Sequence, residues 1–175
     1  MSFTDSTYYI NEINIPASGF SDLQQYIDRY EKIVLVGLLG YTLYTEMMAA
    51  YAAFLDSPST PLPTKWDRLI NGYTYTYGVQ TIRWNGLINS DKVSFLSYYV
   101  YCQYLKAKQA SKSNAGVTQP KNENSVVVDG IAQFTNSWNN FVKLYYECYE
   151  FIIVSPDDYP GIIPIDYQHT NIFGI

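Results

Sequence analysis

Histidine is nearly absent from this chain: His169 is the only one among 175 residues, and Cys102 and Cys148 are the only cysteines. Proton transfer and thiolate chemistry at neutral pH therefore have few side chains to draw on. Glycine-rich phosphate loops, CxxC pairs, HExxH and GxSxG are also missing, which removes the short motifs of nucleotide, zinc and serine-hydrolase chemistry. Positive charge is scarce as well. Eleven Lys and Arg stand against 16 Asp and Glu, a formal net charge of −5, whereas broad nucleic-acid binding needs clustered cations that displace counterions from phosphates. Before Pro16 there is no basic segment and no unbroken apolar run, so no export signal is expected and the chain is read as made in a cytoplasm. Both cysteines fall in apolar helical patterns and read as reduced packing residues. A membrane span between Ile33 and Leu55 is disfavoured. Its uncharged part, Ile33 to Thr45, is too short, and Glu46 at the centre of a bilayer would cost roughly 3 kcal/mol.

What is abundant is aromatic surface: 19 Tyr, 8 Phe and 3 Trp. Tyrosine joins a large apolar ring to a hydroxyl that tolerates water, which favours it at interfaces. The composition points to packing and binding rather than catalysis. Between Phe95 and Tyr104 the rings point around the whole circumference of a helix, so burial on more than one side is expected, inside a bundle or between subunits. The length suits one domain that can bury roughly 70% of its unfolded surface.

Residues 1 to 20 lack helical periodicity and contain Pro16 and Gly19, which predicts an extended N-terminal arm. Ser21 offers an N-cap, and Leu23, Ile27, Tyr30 and Val34 recur along one helical face until Gly37 and Gly40 end it. Tyr44, Met47, Tyr51 and Phe54 repeat the spacing in a second helix that stops at Asp56, before the breaker-rich Ser57 to Pro63. Thr64 is the expected cap of a short third helix with Trp66, Leu69 and Ile70, closed by Gly72. Tyr73-Thr74-Tyr75-Thr76-Tyr77 then switches to period two. With Val79 to Trp84 and the turn pair Asn85-Gly86 it predicts a small β-hairpin near residues 73–86.

Ser90 and Asp91 are expected to open a long helix ending near Lys106, Lys108 and Lys112. Phe95, Tyr99, Cys102 and Leu105 form one of its rows, and Leu96, Val100, Tyr104 and Ala107 the next. Residues 111 to 125 read as a polar loop. The last helix starts near Val128, and Ile131, Phe134, Trp138, Phe141, Tyr145, Cys148 and Ile152 alternate steps of three and four, a packing seam. Val142, Tyr146, Tyr149 and Ile153 widen that stripe to the breadth of a globular bundle. The fold class is mainly α, a bundle of about four to five helices over residues 21–153 with a small β-hairpin and extended arms at both ends.

After Val154 three prolines, Pro156, Pro160 and Pro164, forbid a continuing helix, yet the tail 154–175 is apolar: Tyr159, Ile162, Ile163, Ile165, Tyr167, Ile172 and Phe173. Two readings stay open, a tail packed on its own domain and a strand or hook laid on a partner. The second makes those seven residues candidate partner contacts. Asp157, Asp158 and Asp166 match no calcium-loop spacing, and Glu147 and Glu150 lie one turn apart on a solvated face. No catalytic residue, metal or cofactor is expected. A carbohydrate-binding reading rests on Tyr73, Tyr75, Tyr77 and Trp84, whose faces could stack on sugar rings. An enzyme would need a site assembled from distant carboxylates.

The succession of a helix ending in Gly37-Leu38-Leu39-Gly40, then Leu43-Tyr44, then Trp66 with Leu69-Ile70 and Gly72, resembles the helical head-tail connector (adaptor) proteins of tailed bacteriophages. A long aromatic helix, a polar loop with Gly116-Val117 and Asn122-Glu123-Asn124-Ser125, another long helix and an extended tail are similar to the same family, especially in phages of gut Bacteroidetes (crAss-like). The Tyr-Thr hairpin departs from that pattern. The resemblance implies a virion protein in a ring below the portal, continuing the channel for double-stranded DNA and offering the tail its docking surface. It implies partners in the portal, in neighbouring copies and in other connector or tail proteins, with no membrane. The loop from Gly116 to Ser125, including Gln119, Lys121, Asn122 and Glu123, and the tail from Pro156 to Ile175 would reach them. An acidic balance suits a conduit that does not hold phosphate.

Overall fold

The structure, a computed structural model, describes residues 1–16, 20–109, 112–113, 116–117 and 130–171. It is mainly α-helical with small antiparallel hairpins. Helix α1 spans Phe20–Asp56, and within it only Gly40 leaves helical geometry, at φ 75° and ψ 161°. The two expected N-terminal helices are therefore present as the two halves of α1, meeting at a kink at Gly40. Gly40 is where the break falls because its positive φ would strain any side chain. Gly37 stays helical, and Ser21 lies inside the first turn rather than capping it.

Helix α2 (Thr64–Asn71) is preceded by Pro63 as its cap residue, with no side-chain cap hydrogen bond, so Thr64 is the first helical residue rather than the cap. Its apolar side buries Trp66, Leu69 and Ile70. Strands β1 (Tyr73–Tyr77) and β2 (Gln80–Trp84) follow as the expected hairpin, in register Tyr73 with Trp84, Tyr75 with Ile82 and Tyr77 with Gln80. The chain leaving β2 clips back onto the end of α2: Leu87 and Ile88 amides donate to the Leu69 and Ile70 carbonyls at 3.2 and 2.9 Å. Gly86 permits that approach, since a Cβ there would lie 2.6 Å from the Ile70 carbonyl oxygen.

Helix α3 runs Phe95–Gln109, starting four residues later than the Ser90-Asp91 signal suggests. Lys92 has φ 57°, which no helix accepts. Asn89 fastens the intervening loop instead, its side chain accepting from the Val93 amide at 3.1 Å and donating to the Val93 carbonyl at 2.6 Å. In the polar loop, Lys112–Ser113 (β3) pairs with Gly116–Val117 (β4). Gln119, Lys121, Asn122 and Glu123 lie outside the described residues, as does Val128; helix α4 spans Gly130–Ile153.

Helix α3 is the axis of the molecule. Phe95, Leu96, Tyr98, Tyr99, Val100, Tyr101, Cys102 and Tyr104 are all buried, with α1 and α4 packed along it. The remaining side is closed by the N-terminal arm, which is no free extension. Two 3-10 turns, Ser6–Tyr8 and Asn11–Ile13, fold it down, and Phe3, Tyr8, Tyr9, Ile13 and Ile15 enter the core. Each such side chain contributes about 1.5–3 kcal/mol before the entropy of ordering is counted. Polar contacts fix the register: the Tyr98 phenol donates to the Glu12 carboxylate, and Gln133 on α4 donates to the Tyr101 hydroxyl at 2.6 Å.

Candidate interaction surface

The C-terminal tail was one of the two places where sequence reading put partner contacts. Through residue 171 it lies on its own domain. Tyr159 is buried, donates its hydroxyl to the Lys65 carbonyl at 2.5 Å, and packs against Trp66 and Phe151. Tyr167 sits in a box of rings, 4.8 Å from Phe141, 4.9 Å from Tyr145, 5.8 Å from Trp138 and 6.3 Å from Tyr99. Backbone groups are anchored as well. The Ile165 amide donates to the Tyr145 hydroxyl at 3.1 Å, the Trp138 indole to the Gln168 carbonyl at 2.9 Å, and Asn139 exchanges two hydrogen bonds with Thr170. Ile165 rests against helical Gly37, where a Cβ would come within 2.6 Å of its terminal methyl.

Of the two readings left open, the described residues of the tail follow the one in which it packs on its own domain. Tyr159 and Tyr167 are spent on the chain's own core and Ile162 is half-buried against it, while Ile163 stands out at 85% exposure and Ile165, though touching Gly37, is 44% exposed. Ile172 and Phe173 lie outside the described residues. The physical reason is that α4 carries more rings than α3 alone can cover, so the tail supplies the last wall. Burial pushes the Tyr145, Tyr159 and Tyr167 phenols up, so all three stay protonated donors or acceptors at neutral pH.

The hairpin does not offer its four rings as one open platform. Tyr75 and Trp84 face α4, where both rings meet Phe151, and the Trp84 indole donates to the Leu69 carbonyl at 2.8 Å. Tyr73 and Tyr77 remain exposed at opposite ends of β1, Tyr73 under the Arg68 guanidinium at 4.2 Å. Between the hairpin and the end of α4 runs an open groove that includes Tyr77, Ile82 and Ile153.

Titratable side chains are spread out. Among the described residues no group of three or more His, Cys, Asp or Glu could hold a metal. Asp166 accepts from the Tyr146 hydroxyl and from Gln168 instead. Burial pushes the Cys102 thiol up to about 12 and Cys148 well above its ordinary value, so both are packing groups in thiol form.

The surface left uncovered is on the second half of α1. Leu43, Met47 and Phe54 turn inward. On the other side Tyr41, Thr45, Met48, Ala52 and Leu55 follow steps of four, three, four and three, the spacing of a helix-packing seam. Tyr41 is 68% exposed and Leu55 51%, while Met48 and Ala52 are half-buried. That seam bears no charge. Glu46 lies to one side of it, paired with Lys65 at 2.6 Å. The most apolar window of Ser21–Asp56 has a mean hydropathy of 1.5, and 28% of it is buried. Sequence reading missed this seam because it followed the Tyr44-Met47-Tyr51-Phe54 row. Both rows are apolar, and periodicity alone does not say which one the fold covers.

In comparisons with protein-family models, curated proteins and solved structures, nothing matches this chain.

Proposed function

We propose that this protein is a structural assembly subunit, a ring-forming adaptor at the head-tail junction of a tailed bacteriophage, built into the virion in the host cytoplasm. The observation that carries the reading is the uncharged row of heptad spacing Tyr41, Thr45, Met48, Ala52 and Leu55, in which Tyr41, Thr45 and Leu55 stand exposed while Ala52 is half-buried and Met48 leans on the core. A seam of that spacing is made to receive another helix, and small Thr and Ala between larger Tyr and Leu let a second helix approach closely. Neighbouring copies supply that helix in a ring. The portal and the tail dock on the ring's two faces, with the hairpin tip and the exposed Ile163 available to them. Double-stranded DNA passes through without sequence-specific contacts, which the net charge of −5 favours.

Mixing the purified protein with the portal protein encoded in the same genome, followed by negative-stain electron microscopy, tests the reading. Portal rings decorated at one end by a further ring are the expected result. Bare portals beside monomers would overturn it, and so would flotation of the protein with lipid vesicles through its apolar α1.

A further inference from the structure

One acidic side chain is buried among the described residues: Glu31, on α1. It sits in the interface between α1 and the N-terminal arm and holds the first turn of that arm. Its Oε2 accepts from the Phe3 amide at 2.8 Å, and its Oε1 accepts from the Thr4 amide at 2.9 Å and from the Thr4 hydroxyl. No lysine or arginine among the described residues pairs with it. The groups facing it are an acid and phenols: Asp28 one turn back on α1, Tyr8 and Tyr9 on the arm, and Tyr44 and Tyr51 on the second half of α1, with Asp5 of the arm acting on the same two arm tyrosines. Lys92 lies over the Tyr8 ring and acts on Asp5. Beside the carboxyl, the Tyr9 hydroxyl is buried near the Thr4 side chain.

We propose that Glu31 is a protonation-controlled latch: it holds the N-terminal arm closed over α1 and α3 most firmly in weak acid, and loosens it as the pH rises through neutrality. The chemistry permits both forms without breaking the contact. As a carboxylate Glu31 accepts all three hydrogen bonds; as a carboxylic acid it keeps the two amides and donates to the Thr4 hydroxyl, which has lone pairs to accept. What differs is the cost of a charge with no counter-cation in a closed interface. Burial, the largest influence, lifts the carboxyl from 4.5 to about 7, against the three donors that pull it down. The released arm exposes Glu31 to water, where it ionises at its ordinary value. Protons therefore favour the closed arm, and their loss across this window shifts the closed-to-open ratio by up to about two orders of magnitude. Opening lifts Phe3 off Tyr51, 5.0 Å away ring to ring, and so uncovers apolar surface next to Met48, Ala52 and Leu55. The latch stands whether or not that neighbouring seam is an assembly face.

The test uses the full chain. The Glu31 side-chain carboxyl carbon is followed by NMR across the pH range together with the Phe3 and Thr4 amides. In parallel, chymotryptic cleavage of the arm at Tyr8 and Tyr9 is measured relative to a free peptide of the arm's sequence, which cancels the protease's own pH dependence. The expected result is one shared midpoint near 7 for the carboxyl and both amides, a rise in relative cleavage of about tenfold between about pH 6 and about pH 8, and a flat profile for Glu31→Gln. A Glu31 midpoint below about 5, flat cleavage in the wild type, or the same slope in Glu31→Gln would each overturn the latch. Thr4→Val provides a second variant if Glu31→Gln does not fold. Removing the hydroxyl that steadies the carboxylate moves the midpoint upward, and an unmoved midpoint counts against the proposal.

Discussion

Helix α3 and the second half of α1 both carry apolar side chains over most of their circumference, yet from Phe95 to Tyr104 one is buried at all but Gln103, while the other is covered on one side. Around α3 stand α1, α4 and the N-terminal arm, and the rings of α3 and α4 are closed off by the tail. Along α1 beyond Gly40, Met47 and Phe54 are covered by the core, while among the described residues Tyr41, Thr45 and Leu55 stay exposed. The difference teaches that apolar circumference does not by itself signal a missing partner. A single chain can wrap such a helix when its termini fold back, and here both do. The signal of a partner is the apolar row that remains after the chain has spent all its own coverings.

That contrast can be broken at several points. Tyr101→Ala on α3 removes a ring that is buried to 2% exposure and the acceptor for Gln133; a loss of about 3–5 kcal/mol in chemical denaturation is expected. Glu31 comes next. Its folded value of about 7 lies above the 4.5 of the exposed group, so its stabilising effect is complete below about pH 4.5 and is lost as the pH rises through about 7. Wild-type stability at alkaline pH should fall short of Glu31→Gln by up to about 3 kcal/mol, with the two curves meeting in acid. Tyr167→Ala opens the tail's wall of the aromatic box and should cost about 2 kcal/mol, since that ring is half-buried. A thermal melt unchanged by Tyr167→Ala would return the tail to the status of a free arm. On the uncovered row, Thr45→Lys with Leu55→Lys should change the stability of the isolated fold by less than about 0.5 kcal/mol per site, while abolishing self-association.

Much of the fold was legible in local pattern. The alternation of Tyr73 to Tyr77 marked β1, the breakers from Ser57 to Pro63 marked the end of α1, and the three-four spacing of Phe141, Tyr145, Cys148 and Ile152 marked the buried face of α4. Where local signals compete with long-range contacts the reading slipped. Ser90-Asp91 looks like a helix start, but the Asn89 side chain closes a loop there and α3 waits until Phe95. The fate of both termini could not be read because Phe3, Tyr8, Tyr159 and Tyr167 owe their burial to residues far away in the chain. Glu31 left one trace: it continues the row Leu23, Ile27, Val34, and a carboxylate in an apolar row is either misplaced or held. The structure shows what holds it.

Sedimentation velocity of the wild-type protein and of the Thr45→Lys, Leu55→Lys double variant, over a concentration series, tests the outward row of α1 most directly. The account predicts wild-type species larger than a monomer that grow with concentration, and a variant that stays monomeric with an unchanged melting transition. Wild type and variant sedimenting alike as monomers, or alike as oligomers, would contradict it.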